Sequence, residues 1–109
     1  GLTLLGGDPL CQTAHDILEL CWLAQAVKDM GKTVWMWTGE CIDSDLFDIP
    51  RDIDMLARQT LIEKCDVVVD GPYVKDKSGY FVWRGSSNQR VIDIQNSLSA
   101  QYIVQLKVD

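Results

Sequence analysis

Residues 2–9 read Leu-Thr-Leu-Leu-Gly-Gly-Asp-Pro and residues 33–39 read Thr-Val-Trp-Met-Trp-Thr-Gly, and the stretch joining them decides the fold. Leu2 to Leu5 is a short apolar run closed by Gly6, Gly7, Asp8 and Pro9, the punctuation of a buried strand that ends in a loop. Thr13 stands as a helix cap with Asp16 three positions on, and Ile17, Leu20, Cys21, Ala24 and Val27 recur on one face. Lys28, Asp29 and Lys32 are polar and Gly31 supplies a stop, so the spacing predicts a helix over 14–30. Thr33 to Trp37 is rich in β-branched and aromatic residues and ends at Thr38-Gly39, which predicts a second strand. Strand, helix and strand form one βαβ unit with a right-handed crossover.

The same rhythm continues downstream. Asp43 to Phe47 predicts a brief helical turn before Pro50. Asp52 to Lys64 predicts a second helix with Ile53, Leu56, Ala57, Thr60 and Leu61 inward and Asp54 paired with Arg58 one turn on. Cys65 to Asp70 predicts a third strand through Val67, Val68 and Val69, ended by Gly71-Pro72. Lys75 to Gly79 reads as an exposed turn before Tyr80 to Trp83, and Val91, Ile92 and Ile94 suit a strand or a short helix. Tyr102 to Val108 alternates in the manner of a half-buried edge strand, with Tyr102, Val104, Leu106 and Val108 on one side. The expectation is an α/β fold, a mostly parallel sheet with flanking helices in a single domain spanning 1–109.

Composition narrows the function. A chain of 109 residues that is 47% hydrophobic can bury a core, and its interspersed charge argues against disorder. No apolar run approaches the roughly 18 residues of a membrane span, and no basic stretch leads into an apolar one as in a signal peptide. A formal charge of -6, with no block of Lys and Arg, argues against a nucleic-acid partner. The expected location is cytoplasmic, without membrane partners. Cys11, Cys21, Cys41 and Cys65 are 10, 20 and 24 positions apart and form no CxxC or CxxxCxxC cluster. They read as thiols in a reducing compartment, two of them buried, rather than as two disulfides. Gly1 leads straight into a strand without an initiator Met, which suggests a segment of something longer.

Gly6-Gly7-Asp8, Trp37-Thr38-Gly39 and Asp70-Gly71-Pro72 each follow a predicted parallel strand, at the edge where α/β folds bind ligands. Paired glycines expose backbone groups to a ligand, and Asp8 either accepts hydrogen bonds from a ligand ammonium or is a solvated carboxylate in a tight turn. The loop is neither a dinucleotide fingerprint, lacking a third glycine, nor a P-loop. Trp35 and Trp37 lie two apart and face one side of their strand. Trp35 reads as core under a helix, while Trp37 either packs likewise or walls an adenine. His15 reads as a surface or capping residue with no nucleophile partner. Asp70 closes the third strand at its ligand-facing end. Arg84, Asn88, Gln89 and Arg90 surround Gly85-Ser86-Ser87, and this donor set either clamps a carboxylate or partner backbone or satisfies local backbone groups.

Four segments carry a more specific signal: residues 1–10 (GLTLLGGDPL), 34–39 (VWMWTG), 67–73 (VVVDGPY) and 83–93 (WRGSSNQRVID). In order and spacing they resemble the anaerobic ribonucleoside-triphosphate reductase activating proteins, over nearly the whole chain and more weakly after Ile94. The resemblance implies a radical S-adenosylmethionine (SAM) fold, a partial (β/α) barrel. It implies that Gly6 and Gly7 meet the methionyl amino group of SAM, with Asp8 in the place of the usual acidic residue. Trp37, Thr38 and Gly39 match a segment beside the nucleoside, and Asp70, Ser87 and Asn88 match later strand-end loops. Arg84, Gln89 and Arg90 are the residues expected to face a partner.

The implied cofactors are SAM and a 4Fe-4S cluster in the full-length parent. The implied partners are the large subunit of the anaerobic ribonucleotide reductase, which receives a glycyl radical, and a flavodoxin-type reductant. Two features depart from the family. Its CxxxCxxC loop, which precedes the GGDP strand, is absent from residues 1–109, so no residue takes a metal-ligand or catalytic role and the 109 residues alone are expected to be inactive. Glu40 stands where relatives carry Tyr, and Cys11-Gln12 replaces Tyr-Pro. Competing readings are a non-catalytic adaptor that keeps the reductase-binding surface and a different nucleotide-binding α/β domain.

Overall fold

A computed structural model describes residues 1–4 and 7–107. Leu5 and Gly6 lie outside the described residues, so the first strand, β1, is Leu2–Leu4. It is followed by α1 (Ala14–Asp29), β2 (Val34–Trp37), α2 (Asp43–Phe47), α3 (Ile53–Lys64) and β3 (Val67–Asp70). The remainder forms β4 (Ser78–Phe81), β5 (Arg84–Ser86), β6 (Arg90–Asp93) and α4 (Ile94–Ala100). Each long helix starts where a short polar side chain takes an orphan amide. Thr13 Oγ1 accepts from Asp16 N at 3.2 Å, and Asp52 Oδ1 accepts from Met55 N at 2.9 Å. Beyond α1, Gly31 adopts φ 74°, a left-handed conformation that a side chain would strain.

The sheet runs β1-β2-β3-β6. The first three strands are parallel, with Leu4 beside Met36 and Met36 beside Val68. β6 is antiparallel to β3, pairing Val67 with Asp93 and Asp70 with Arg90. The sheet is therefore mixed, and the four-stranded array is open at β1. The hairpin β4-β5 makes a separate two-stranded sheet. The region of Val91, Ile92 and Ile94 is both of its alternatives in turn: β6 ends at Asp93, whose side chain then caps α4.

Side-chain alternation divides the sheet into two unequal faces. Val34, Met36, Val68 and Ile92 point into the main core, which takes in Ile17, Cys21 and Ala24 of α1 and Ala57, Leu61 and Ile62 of α3. Fully burying each such aliphatic side chain is worth about 1.5–3 kcal/mol. The other face carries Val67, Val69 and Val91 with Trp35, Trp37 and Leu106. The buried apolar residues of all four helices belong to the first cluster, so Trp35 does not pack beneath a helix as expected. It stacks with Trp37 at 5.9 Å between centroids and meets Trp83 edge-on at 4.6 Å.

Three other local expectations are corrected. Ile53 and Leu56 are 58% and 47% exposed, because the arc of α3 that meets the core is Ala57, Leu61 and Ile62. Arg58 does not pair with Asp54 but with Asp45 and Glu40, whose carboxylates lie on the inner side of the helix. Tyr102 to Lys107 is no strand: it makes a single bridge from Gln105 to Ile92, and Tyr102 is 65% exposed. Gln101 ends α4 in a left-handed conformation and Ser97 Oγ accepts from Val104 N at 2.8 Å, so the helix end captures a donor that a ladder would need. Val108 lies outside the described residues.

Candidate functional site

The loops after β1 and β2 are joined by one carboxylate. Asp8 caps the 3-10 turn Pro9–Cys11, accepting from Leu10 N at 3.2 Å. Across the gap between strands, Thr38 Oγ1 donates to Asp8 Oδ1 at 2.8 Å, and Gly39 N donates to Asp8 Oδ2 at 2.9 Å. Thr38 is itself buried, its amide donating to Val69 O at 3.0 Å, which ties the second loop to the end of β3. Three of the expected site residues thus stand in direct contact. Gln12 Nε2 closes the first loop from its far side by donating to Gly7 O.

Asp70, at the same edge, is fully buried. Its carboxylate accepts from Ile42 N at 3.0 Å and from Arg90 Nε and Nη2 at 2.9 and 2.7 Å. Arg90 Nη2 also reaches Asp43 Oδ1 at 2.6 Å. The hydrogen bonds of Arg90 hold the Asp43 carboxyl below its ordinary range, while Asp70 and then Asp43 push the guanidinium above its own. Asp70 lies under the loops as an anchor, and Arg90, expected to face a partner, is committed inward.

The segment 84–90 splits along similar lines. Gln89 Oε1 accepts from Gly85 N at 2.7 Å and Ser86 N at 3.2 Å, and its Nε2 donates to Gly71 O at 3.0 Å. Asn88 Nδ2 donates to Pro72 O at 2.8 Å, while its Oδ1 is a buried acceptor without a partner among the described residues. Ser87 is exposed and uses its amide on Lys77 O at 2.8 Å, and the Arg84 guanidinium lies 5.1 Å over the Phe81 ring. The alternative in which these side chains satisfy local backbone accounts for Asn88 Nδ2 and Gln89. It was legible as an alternative because amide side chains compete for backbone groups in turns.

Above these anchors an open hollow of about 260 Å³ is lined by Asp8, Trp37, Thr38, Gly39, Tyr73 and Gln89. Trp37 contributes one aromatic wall and fixes its indole by donating Nε1 to Trp83 O at 2.8 Å. Tyr73 contributes another, 60% exposed, and a Cβ at Gly85 would stand 3.1 Å from its ring. Tyr73, in the VVVDGPY segment, is a lining residue that the strand-end motifs do not pick out, its aromatic ring beside a loop being the signal for it. The hollow offers the Asp8 carboxylate, oriented by the Thr38 hydroxyl and the Gly39 amide, and two aromatic surfaces. These suit a ligand with an ammonium or hydroxyl group and a planar base.

The thiols do not suit a 4Fe-4S cluster. Cys21 and Cys65 are buried in the core and Cys11 and Cys41 are exposed, and among the described residues neither gathering of metal-ligating side chains contains more than one cysteine. Burial, with the nearby Asp66 carboxylate, pushes the Cys65 thiol up to about 12. Desolvation and the charges of Asp8 and Glu40 also raise the Cys11 thiol. A cluster needs several thiolates converging on one place, and these four thiols are divided between the core and the surface.

Against known proteins, a family model described as a 4Fe-4S single cluster domain matches residues 1–92. The anaerobic ribonucleoside-triphosphate reductase-activating protein of Escherichia coli K12 is 39% identical over 93 residues, which are 84% of this chain and 54% of the relative. The protein of that name from Enterobacteria phage T4 is 37% identical over 93 residues, covering 84% and 51%. That from Vibrio cholerae is 34% identical over 92 residues, covering 82% and 52%. The chain spans about half the length of these curated relatives. No solved structure matches it.

Proposed function

We propose, from the premise that this chain belongs to the 4Fe-4S single cluster domain family and is homologous to activating proteins of anaerobic ribonucleoside-triphosphate reductase, that it is the SAM-binding part of such an activase. The observation that carries this reading is the hollow at the carboxyl ends of β1 and β2, where Asp8, Thr38 and Gly39 meet beside Trp37. In it Asp8 accepts from the ligand's ammonium, Gly39 leaves the approach open where a side chain would intrude, and Trp37 and Tyr73 bracket the base. Gly6, outside the described residues, and Gly7 take the methionyl end.

SAM, when bound and given one electron by a reduced 4Fe-4S cluster, would supply the carbon-centred radical chemistry that removes a hydrogen atom from a glycine of the reductase. The residues of this chain orient the ligand and restrict its approach. The partner reaches the reacting carbon past Tyr73, which lines the hollow and stands against Gly85 of the β4-β5 hairpin, next to Arg84 in the chain. The partial barrel, the flavodoxin-type donor and the cytoplasmic setting belong to the same reading. What bears on the last is that no helix among the described residues is long and apolar enough to cross a membrane.

The thiols give the adaptor reading its one specific support, since the described residues gather no set that suits a cluster. Calorimetric titration with SAM and with ATP separates the readings: saturable SAM binding that weakens on Asp8→Ala supports the first. Preference for ATP indicates another nucleotide-binding domain, and binding of the reductase without SAM indicates an adaptor.

A further inference from the structure

Arg58 was expected to pair with Asp54 on its own helix, yet it makes four hydrogen bonds to three groups on three other segments. Its Nε and Nη2 hold Asp45 of α2 at 2.9 and 3.0 Å in a bidentate pair. Its Nη1 donates to Leu10 O in the loop after β1 at 2.9 Å, and to Glu40 Oε2 in the loop after β2 at 2.7 Å. Leu10 is two residues beyond Asp8, and Glu40 directly follows Gly39. The Arg58 side chain is 20% exposed, so these charge-assisted bonds are largely shielded from water. The loops that line the hollow are thus bridged twice, in front by Asp8 and behind by Arg58.

The two bridges differ in what a ligand does to them. Asp8 oxygens already accept from Leu10, Thr38 and Gly39, and an incoming ammonium must share them. Arg58 lines no part of the hollow and keeps its bonds when that sharing occurs. Glu40 and the pair Cys11-Gln12 are among the places at which the chain departs from the family it resembles. Glu40 joins Arg58, and the carbonyl just before Cys11 accepts from the same nitrogen.

We infer that Arg58 is a positioning residue for this hollow, holding the loops after β1 and β2 at the separation that lets Asp8, Thr38 and Gly39 face one ligand. The assignment concerns loop geometry, and its consequence for affinity rests on the reading of the hollow as a SAM site. A lysine presents one compact charge and cannot serve Asp45, Glu40 and Leu10 O together.

The test compares Arg58→Lys and Arg58→Met with Ile92→Val, a core change remote from the loops, by amide hydrogen exchange, melting temperature and SAM titration. In Arg58→Lys the Gly39 and Leu10 amides, both bonded to Asp8, should exchange about tenfold faster while the Ile92 amide is unchanged, as loss of a charged hydrogen bond predicts. Melting temperature should fall in both Arg58 variants, as the buried Asp45 loses its bidentate partner, and SAM affinity should fall as well, by about the same factor as the exchange changes, while Ile92→Val lowers melting temperature and spares affinity. Unchanged exchange at Gly39 and Leu10 in both Arg58 variants overturns the assignment, as does affinity that follows melting temperature across all three. If the wild-type protein binds no SAM, the ligand reading fails, and the exchange measurement alone decides the role of Arg58.

Discussion

Asp70 and Arg90 are register partners across the antiparallel seam between β3 and β6, and their side chains close a bidentate pair with nitrogen-to-oxygen distances of 2.9 and 2.7 Å. One strand arrives at the loop edge and the other departs from it, so the pair fixes the base on which the loops stand. Asp70 is fully buried, and removing its partner strands a charge. Arg90→Met is expected to lower stability by about 3–5 kcal/mol, the cost typical of breaking a buried ion pair from one side. Denaturant titration measures it, and a loss under about 1 kcal/mol would show that water reaches Asp70 in the variant.

The Asp43 end of this network is predicted to be sensitive to acid. Arg90 holds its carboxyl below the ordinary range, so the contribution is complete above the unfolded-state pKa and is lost as pH falls through the depressed one. Asp43→Asn should therefore be less stable than wild type at neutral pH, with the gap closing as pH falls below the ordinary carboxylate range. The Asp43 side chain is 53% exposed, and screening keeps the gap under about 1 kcal/mol. A gap that widens on acidification would contradict the sign.

Thiol labelling should divide the cysteines into pairs. Cys11 and Cys41 are exposed and are expected to react with Ellman's reagent in the native protein, Cys11 more slowly than a free thiol because its surroundings raise its pKa. Cys21 and Cys65 should react only on unfolding, since both are buried with raised pKa values. Native reaction of all four thiols would place the α1-α3 core differently.

Trp37→Phe keeps an aromatic wall but deletes the 2.8 Å bond to Trp83 O. The expected loss is about 1 kcal/mol. Faster amide exchange should be confined to β4 and β5, because Trp83 is the hairpin residue that meets the Trp35 and Trp37 face. Equal loosening in α1 would mean that the hairpin is not held separately.

The βαβ unit, the third strand and the loop edge were legible in the chain itself, because each depends on local spacing. Apolar residues at helical or alternating positions, a Thr cap and glycines at turns all act within a few positions. That locality also places Asp8, Thr38 and Asp70 at one edge of the sheet. Only tertiary structure decided which of them stays open to a ligand: Asp8 lines the hollow, while Asp70 disappears beneath Arg90. The partners of Arg58 were equally invisible. Asp54 is its neighbour in sequence, but Asp45, Glu40 and Leu10 come within reach only when α3 packs behind the loops. A long charged side chain bonds whatever acceptors packing brings to it, and no periodicity in the chain encodes that meeting.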